Sequence, residues 1–141
     1  MFKKYLAIAL IFFMAPMLMG CPKKIIEDIK QNYVMDLITG NIWVVKAFSE
    51  GSADLTTDFA PYEFKFNKDL TVFGQKAGTP DAVGTWLGDA TTMTIQAAFP
   101  NETTILKKLT GTWKITSNTL SEVKANRFEG ATEFKLHLQK K

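Results

Sequence analysis

Few side chains in this sequence can make or break bonds, and their spacing settles most of what can be asked about chemistry. A single histidine, His137, and a single cysteine, Cys21, stand among 141 residues. His137 has no acidic neighbour in sequence, so no serine or cysteine triad with a histidine base can be assembled. One Cys and one His also exclude an internal disulfide and any zinc site built from those ligands, and no metal or cofactor is expected. The glycines fall singly at turns and strand starts, never as a phosphate-cradling loop. Asp54, Asp58, Asp81, Asp89 and Glu102 fall in predicted loops, where two carboxyls meeting in a cleft would allow glycosidase-type acid–base work. Nothing in the sequence brings a pair together, so solvated loop charges and a non-enzymatic protein are expected, with a hydrolase a distant alternative. The remaining candidates are Trp43, Trp86 and Trp113. Their indoles would line a pocket for a sugar ring or an acyl chain, or bury roughly 150–250 Å² each in a core.

Composition narrows the partners. Seventeen basic and fourteen acidic residues leave a net charge of +3, and Lys3 and Lys4 supply two of those charges. Both lie in a segment expected to be removed, which leaves about +1 on the mature chain. That balance gives no reason to expect nucleic acid or an acidic substrate. Eleven Phe, three Trp and three Tyr make a heavy aromatic load for one domain.

Residues 1–20 read as a signal peptide. Lys3-Lys4 precede the apolar run Leu6–Phe13, which is well short of the roughly 20 apolar residues a membrane span needs. The run ends in Leu18-Met19-Gly20-Cys21, which resembles the lipobox of bacterial lipoproteins. The resemblance implies cleavage between Gly20 and Cys21, lipidation of the Cys21 thiol and acylation of the new amine with fatty chains such as palmitate. Gly20 is small enough for a peptidase site at the membrane surface, and a thiol is the nucleophile such a transfer needs. Two or three chains at about 0.8 kcal/mol per buried methylene make a stable anchor. Pro22 follows the cysteine, so the Asp that retains some lipoproteins at the inner membrane is absent. A lipid-anchored envelope protein, at the outer membrane, is implied.

The elements that must position any site follow. Residues 21–37 form a lipidated tether and an amphipathic helix. Ile26, Ile29, Tyr33 and Leu37 recur at spacings of three and four from Ile25 to Leu37, opposite Glu27, Asp28, Lys30, Gln31 and Asn32. That stripe needs a partner, either the end of the following domain or the membrane surface, and Gly40 can end the helix with a left-handed residue. Residues 38–141 break into short extended runs: 42–49, 62–67, 70–74, 83–88, 92–98, 111–116, 119–125 and 132–138. Residues 50–58 read as a loop, 101–109 as a connection with at most one helical turn, and Ser117-Asn118 and Glu129-Gly130 as turns. Eight strands with tight connections predict an all-β fold, a small antiparallel up-and-down β-barrel, with a split barrel or sandwich as the alternative. Tyr62, Phe64, Phe66, Trp86, Phe99, Trp113 and Phe134 are the inward candidates, and His137 is expected to point to solvent. Gly84-Thr85-Trp86 and Gly111-Thr112-Trp113 echo one another, each followed by a turn and a Thr-apolar-hydroxyl triplet. A glycine there would let an indole lie across the backbone or let a strand bend at a barrel corner.

The lipobox, the stretch from Leu37 to Trp43, the Tyr62–Phe66 alternation, the two Gly-Thr-Trp strands and the C-terminal strand ending in Lys140-Lys141 resemble the lipocalin-like lipoproteins of Gram-negative bacteria. The resemblance implies an envelope-anchored barrel that binds a small apolar or amphiphilic ligand, with Trp43, Trp86 and Trp113 as candidate contacts. The other reading of the same residues is a barrel filled by its aromatics, acting as a structural or protein-interaction module. Cys21→Ser is predicted to abolish fatty-acid incorporation in metabolic labelling and to leave an unprocessed precursor. Labelling that persists in the variant contradicts the lipidated anchor.

Overall fold

The structure, a computed structural model, describes residues 23–141; the expected signal segment, Gly20 and Cys21 lie outside the described residues. Alternation of side chains builds the strands. Along Ala82–Asp89 the small or apolar Ala82, Gly84, Trp86 and Gly88 are covered, while Val83, Thr85, Leu87 and Asp89 are exposed. The barrel strands are β1 (Ile42–Glu50), β3 (Tyr62–Phe66), β4 (Thr71–Lys76), β5 (Ala82–Asp89), β6 (Thr94–Ala98), β7 (Gly111–Asn118), β8 (Glu122–Glu129) and β9 (Thr132–Lys140), with a two-residue β2 (Ala53–Asp54) on the end of β1. Successive barrel strands pair antiparallel, and β1 pairs with β9 from Trp43 opposite Lys140 to Glu50 opposite Phe134. The result is the expected eight-stranded up-and-down barrel, not a sandwich.

Three details differ from the sequence reading. β1 and β3 share only the pairs Ile42–Lys65 and Trp43–Phe64. Past Trp43 they part, and the gap is filled by β2 and a one-turn helix, Thr56–Phe59, where a plain loop was expected. Phe59 is the reason: it is fully buried with its ring 4.6 Å from that of Phe48, and Thr56 Oγ1 accepts the Phe48 amide. Secondly, β7 continues through Ser117-Asn118, aided by a bulge between Ile115 and Ser117. The turn falls instead at Thr119, whose hydroxyl accepts the amides of Ser121 and Glu122, and β8 runs on to Glu129. Thirdly, the two Gly-Thr-Trp glycines do not cushion their own indoles. A Cβ on Gly84 would come within 2.5 Å of the Ala98 carbonyl and 2.8 Å of the Phe99 ring, and Gly111 combines φ +140° with a close approach by Arg127.

The two barrel ends are closed differently. At one end a 3₁₀ turn, Ile105–Leu109, drives the fully buried Leu106 against Gly74, where a Cβ would meet Leu106 Cδ1 at 2.9 Å. At the other end the tips of the β3–β4, β5–β6 and β7–β8 hairpins surround helix α1 (Lys23–Thr39). Two of these tips hold Leu70 at φ 68° and Met93 at φ 53°, a left-handed backbone that costs side-chain-bearing residues of order 1–3 kcal/mol each.

α1 packs on the barrel, but not through the face its spacing suggested. Gln31, Val34, Met35 and Ile38 meet the barrel, whereas Ile25, Ile26, Ile29 and Tyr33 are exposed. The cause lies where the chain enters β1. Trp43 donates its indole N–H to the Ile38 carbonyl at 2.9 Å, which fixes the last helical turn with Ile38 inward. Gly40 does not adopt the left-handed conformation; Thr39 Oγ1 and Asn41 Nδ2 instead donate to the carbonyls of Met35 and Leu37. Ile38→Ala should therefore cost about 2–5 kcal/mol in urea unfolding, and Ile29→Ala should stay within about 0.5 kcal/mol of the parent. The reverse order would restore the face read from the spacing.

Candidate functional site

The three tryptophans all point into the barrel, and each spends its one donor on the backbone. Trp43 bonds Ile38, Trp86 bonds the Asn67 carbonyl at 3.0 Å, and Trp113 bonds the Leu109 carbonyl at 2.8 Å. None of the three indoles has an N–H left to orient a ligand. Phe64, Phe66, Phe99 and Phe134 are buried as expected, with Tyr62 half-buried and its ring 6.5 Å from that of Phe64.

Midway along the barrel these side chains leave a narrow cavity of about 40 Å³. Its wall is wholly apolar and includes Ile38, Phe66, Val72, Ile95, Trp113 and Val123. Trp113 thus lines the space, whereas Trp43 and Trp86 do not. A water needs roughly 10–15 Å³ and two or more polar partners; this cavity has the room and none of the partners, so it favours an apolar occupant. A drug-sized ligand needs about 300 Å³ or more, so only the narrow end of a chain fits without movement.

Against α1 lies a second, open and mostly apolar groove of about 200 Å³. Tyr33, Val34 and Leu37 line it from the helix, and Met93 and Ile115 from the strands, with Lys30, Asp89 and Asn118 also on its wall. Ile38, Ile95 and Val123 belong to both walls and form the partition between groove and cavity. The helix over this partition is held by few polar contacts. Gln31 donates to the Gly88 carbonyl at 2.5 Å and accepts the Ala90 amide at 3.0 Å, while Lys68 and Asp36 form an exposed ion pair. Exposed pairs of that kind contribute little.

The opposite end is locked more firmly. Arg127 is buried, with its guanidinium 3.9 Å from the Phe134 ring centre and 4.9 Å from that of Trp113. It donates to the Lys108 carbonyl at 2.8 Å and pairs with Glu129. The sequence reading missed Arg127 because it ended the strand at Ala125. The alternation Val123, Ala125, Arg127 against Lys124, Asn126 was the available signal.

Four of the five loop carboxylates, Asp54, Asp81, Asp89 and Glu102, bond local donors, and Asp58 lies on the one-turn helix Thr56–Phe59. Hydrogen bonds from Thr56 hold Asp54 below the ordinary carboxylate range, and those from Thr92 and Thr91 do the same for Asp89. Asp81 accepts from Gln75 and Glu102 from Thr104. Among the described residues no group of three or more His, Cys, Asp or Glu is gathered as metal ligands would be. His137 lies on the outward face, but its side chain is largely covered and its Nε2 sits 3.4 Å from Glu122 Oε2. Lys46 bonds the same carboxylate and is the main cause of its lowered pKa.

The chain matches no protein-family model and no curated protein. Arg127→Lys keeps the charge and loses the planar fork over two rings, and should lower unfolding free energy by about 1–3 kcal/mol in a denaturant titration. An unchanged midpoint would show that the guanidinium does not lock this end.

Proposed function

We propose that this chain is an envelope-anchored, lipocalin-like lipoprotein whose barrel binds a small apolar or amphiphilic molecule without acting on it. The observation that carries the reading is the wholly apolar cavity in the barrel, separated only by Ile38, Ile95 and Val123 from an apolar groove under α1. A single acyl-type chain suits this shape. Its end would occupy the cavity, its middle the groove, and its polar head the rim near Lys30, Asp89 and Asn118. Binding requires the partition to yield, which the sparse polar contacts of α1 make the least costly movement at either end. Cys21 supplies the anchor in this reading, and the outer membrane is its location.

Brominated fatty acids test it, because bromine quenches tryptophan only at close range. Saturable one-to-one quenching is expected to survive in Trp43→Phe and to disappear in Trp113→Phe. Ala125→Leu should fill the cavity and weaken binding at least tenfold while keeping the melting temperature, since a void takes the added carbons without overpacking. Absence of saturable binding would leave the filled-barrel interaction module as the reading.

A further inference from the structure

Two features at the α1 end expose apolar surface beyond the groove, although Tyr33 and Met93 also border it. The first is the outer face of α1. At about 3.6 residues per turn, Ile25, Ile26, Ile29 and Tyr33 fall on the side of the helix opposite Gln31, Val34 and Ile38. The helix is thus clipped to the barrel by one face and shows a row of large apolar side chains on the other, with Ile29 63% and Tyr33 56% exposed. Burial in the fold accounts for the first face and leaves the second without a partner.

The second observation is the make-up of the hairpin tips. All three hairpins that turn at this end carry an exposed large apolar residue: Leu70, Met93 and Leu120. Leu70 and Met93 do so at positive φ, the conformation that glycine or asparagine adopts at least cost. The Leu70 and Met93 carbonyls each accept a strand amide at 2.9 Å, from Trp86 and Ile115, so these turns lock the barrel while leaving their apolar side chains partly exposed.

We propose that the α1 end of the barrel docks on a lipid bilayer, with the Ile25–Tyr33 face and the tips Leu70, Met93 and Leu120 entering its interfacial zone. The occupant follows from the order of residues in the sequence. Only Pro22 separates Lys23 of α1 from Cys21 in the sequence, so the lipid anchor of the proposed function is tied closely to this helix. A surface tied so closely to an anchor meets the bilayer before any protein partner. Lys23 and Lys30 lie beside the apolar row and match anionic headgroups. Among the described residues no helix is long and apolar enough to cross a membrane; residues 23–39 have the make-up of a helix lying in the interface, its apolar side some 5–10 Å deep. The groove under α1 would then open at the membrane surface, and the ligand would be drawn from the lipid itself. The orientation rests on the anchored reading above.

The experiment uses the full chain reconstituted into vesicles of phosphatidylethanolamine and phosphatidylglycerol, with and without phosphatidylcholine brominated near the glycerol backbone. Three single variants, Ile29→Cys, Leu120→Cys and Phe128→Cys, carry an environment-sensitive dye. The native side chains are 63%, 65% and 63% exposed, and Phe128 lies at the opposite end of the barrel, so labelling access is matched and only position differs. Brominated lipid is expected to quench the dyes at positions 29 and 120 severalfold more than the dye at 128. If either behaves like position 128, the docking is overturned. The unsubstituted chain, taken through the same labelling, reports Cys21 on its own: dye incorporated there means the anchor has failed, whatever the three positions show.

Discussion

An eight-stranded barrel encloses hardly more space than its own inward side chains fill, and the rest of this molecule depends on how that bore is stoppered. One end is closed from within. Phe59, Leu106 and the Arg127 guanidinium stacked over Trp113 and Phe134 close the bore there, with an open cleft of about 470 Å³ on their outer side. The other end is closed by a helix resting on a few side chains. The asymmetry sets which end can open, and the apolar cavity lies directly behind the weaker closure.

That division also explains the aromatic load. The rings do not line a wide calyx. Phe48, Phe59, Phe64, Phe99, Trp113 and Phe134 pack edge to face or tilted, with centroids 4.6–6.5 Å apart, and give the core its rigidity. The three indole N–H groups are committed to backbone carbonyls, so each tryptophan acts as a structural tie. Specificity for a ligand would come from the length and thickness of an apolar chain and from the polar rim at α1.

Much of the fold was legible because strand alternation is a local signal. Tyr62–Phe66 and Thr132–Lys140 each state their inward face in their own residues, and the barrel follows from tight turns between such runs. What was not legible depended on contacts distant in sequence. The face of α1 was misread because four apolar residues outvoted Val34 and Ile38, while the bond from Trp43 to Ile38 decides the outcome. Arg127 was invisible once the β7–β8 turn was drawn at Ser117-Asn118, since the bulge that carries β7 onward has no sequence mark. The cavity could not be read at all, for a void is what remains after every inward side chain has taken its rotamer. The tryptophans were named as candidates on type alone, and only Trp113 reaches the cavity.

The claim on which all this turns is that an apolar chain enters the barrel past Ile38. Isotope-filtered nuclear Overhauser spectra of labelled protein with an unlabelled fatty acid address it directly. Cross-peaks from the acyl methylenes to the methyls of Ile38, Ile95 and Val123, and from the terminal methyl to the Trp113 ring, are the expected result. Cross-peaks confined to Ile25, Ile26 and Ile29, with none to Trp113, would place the chain on the outside of α1 and contradict a ligand site within the barrel.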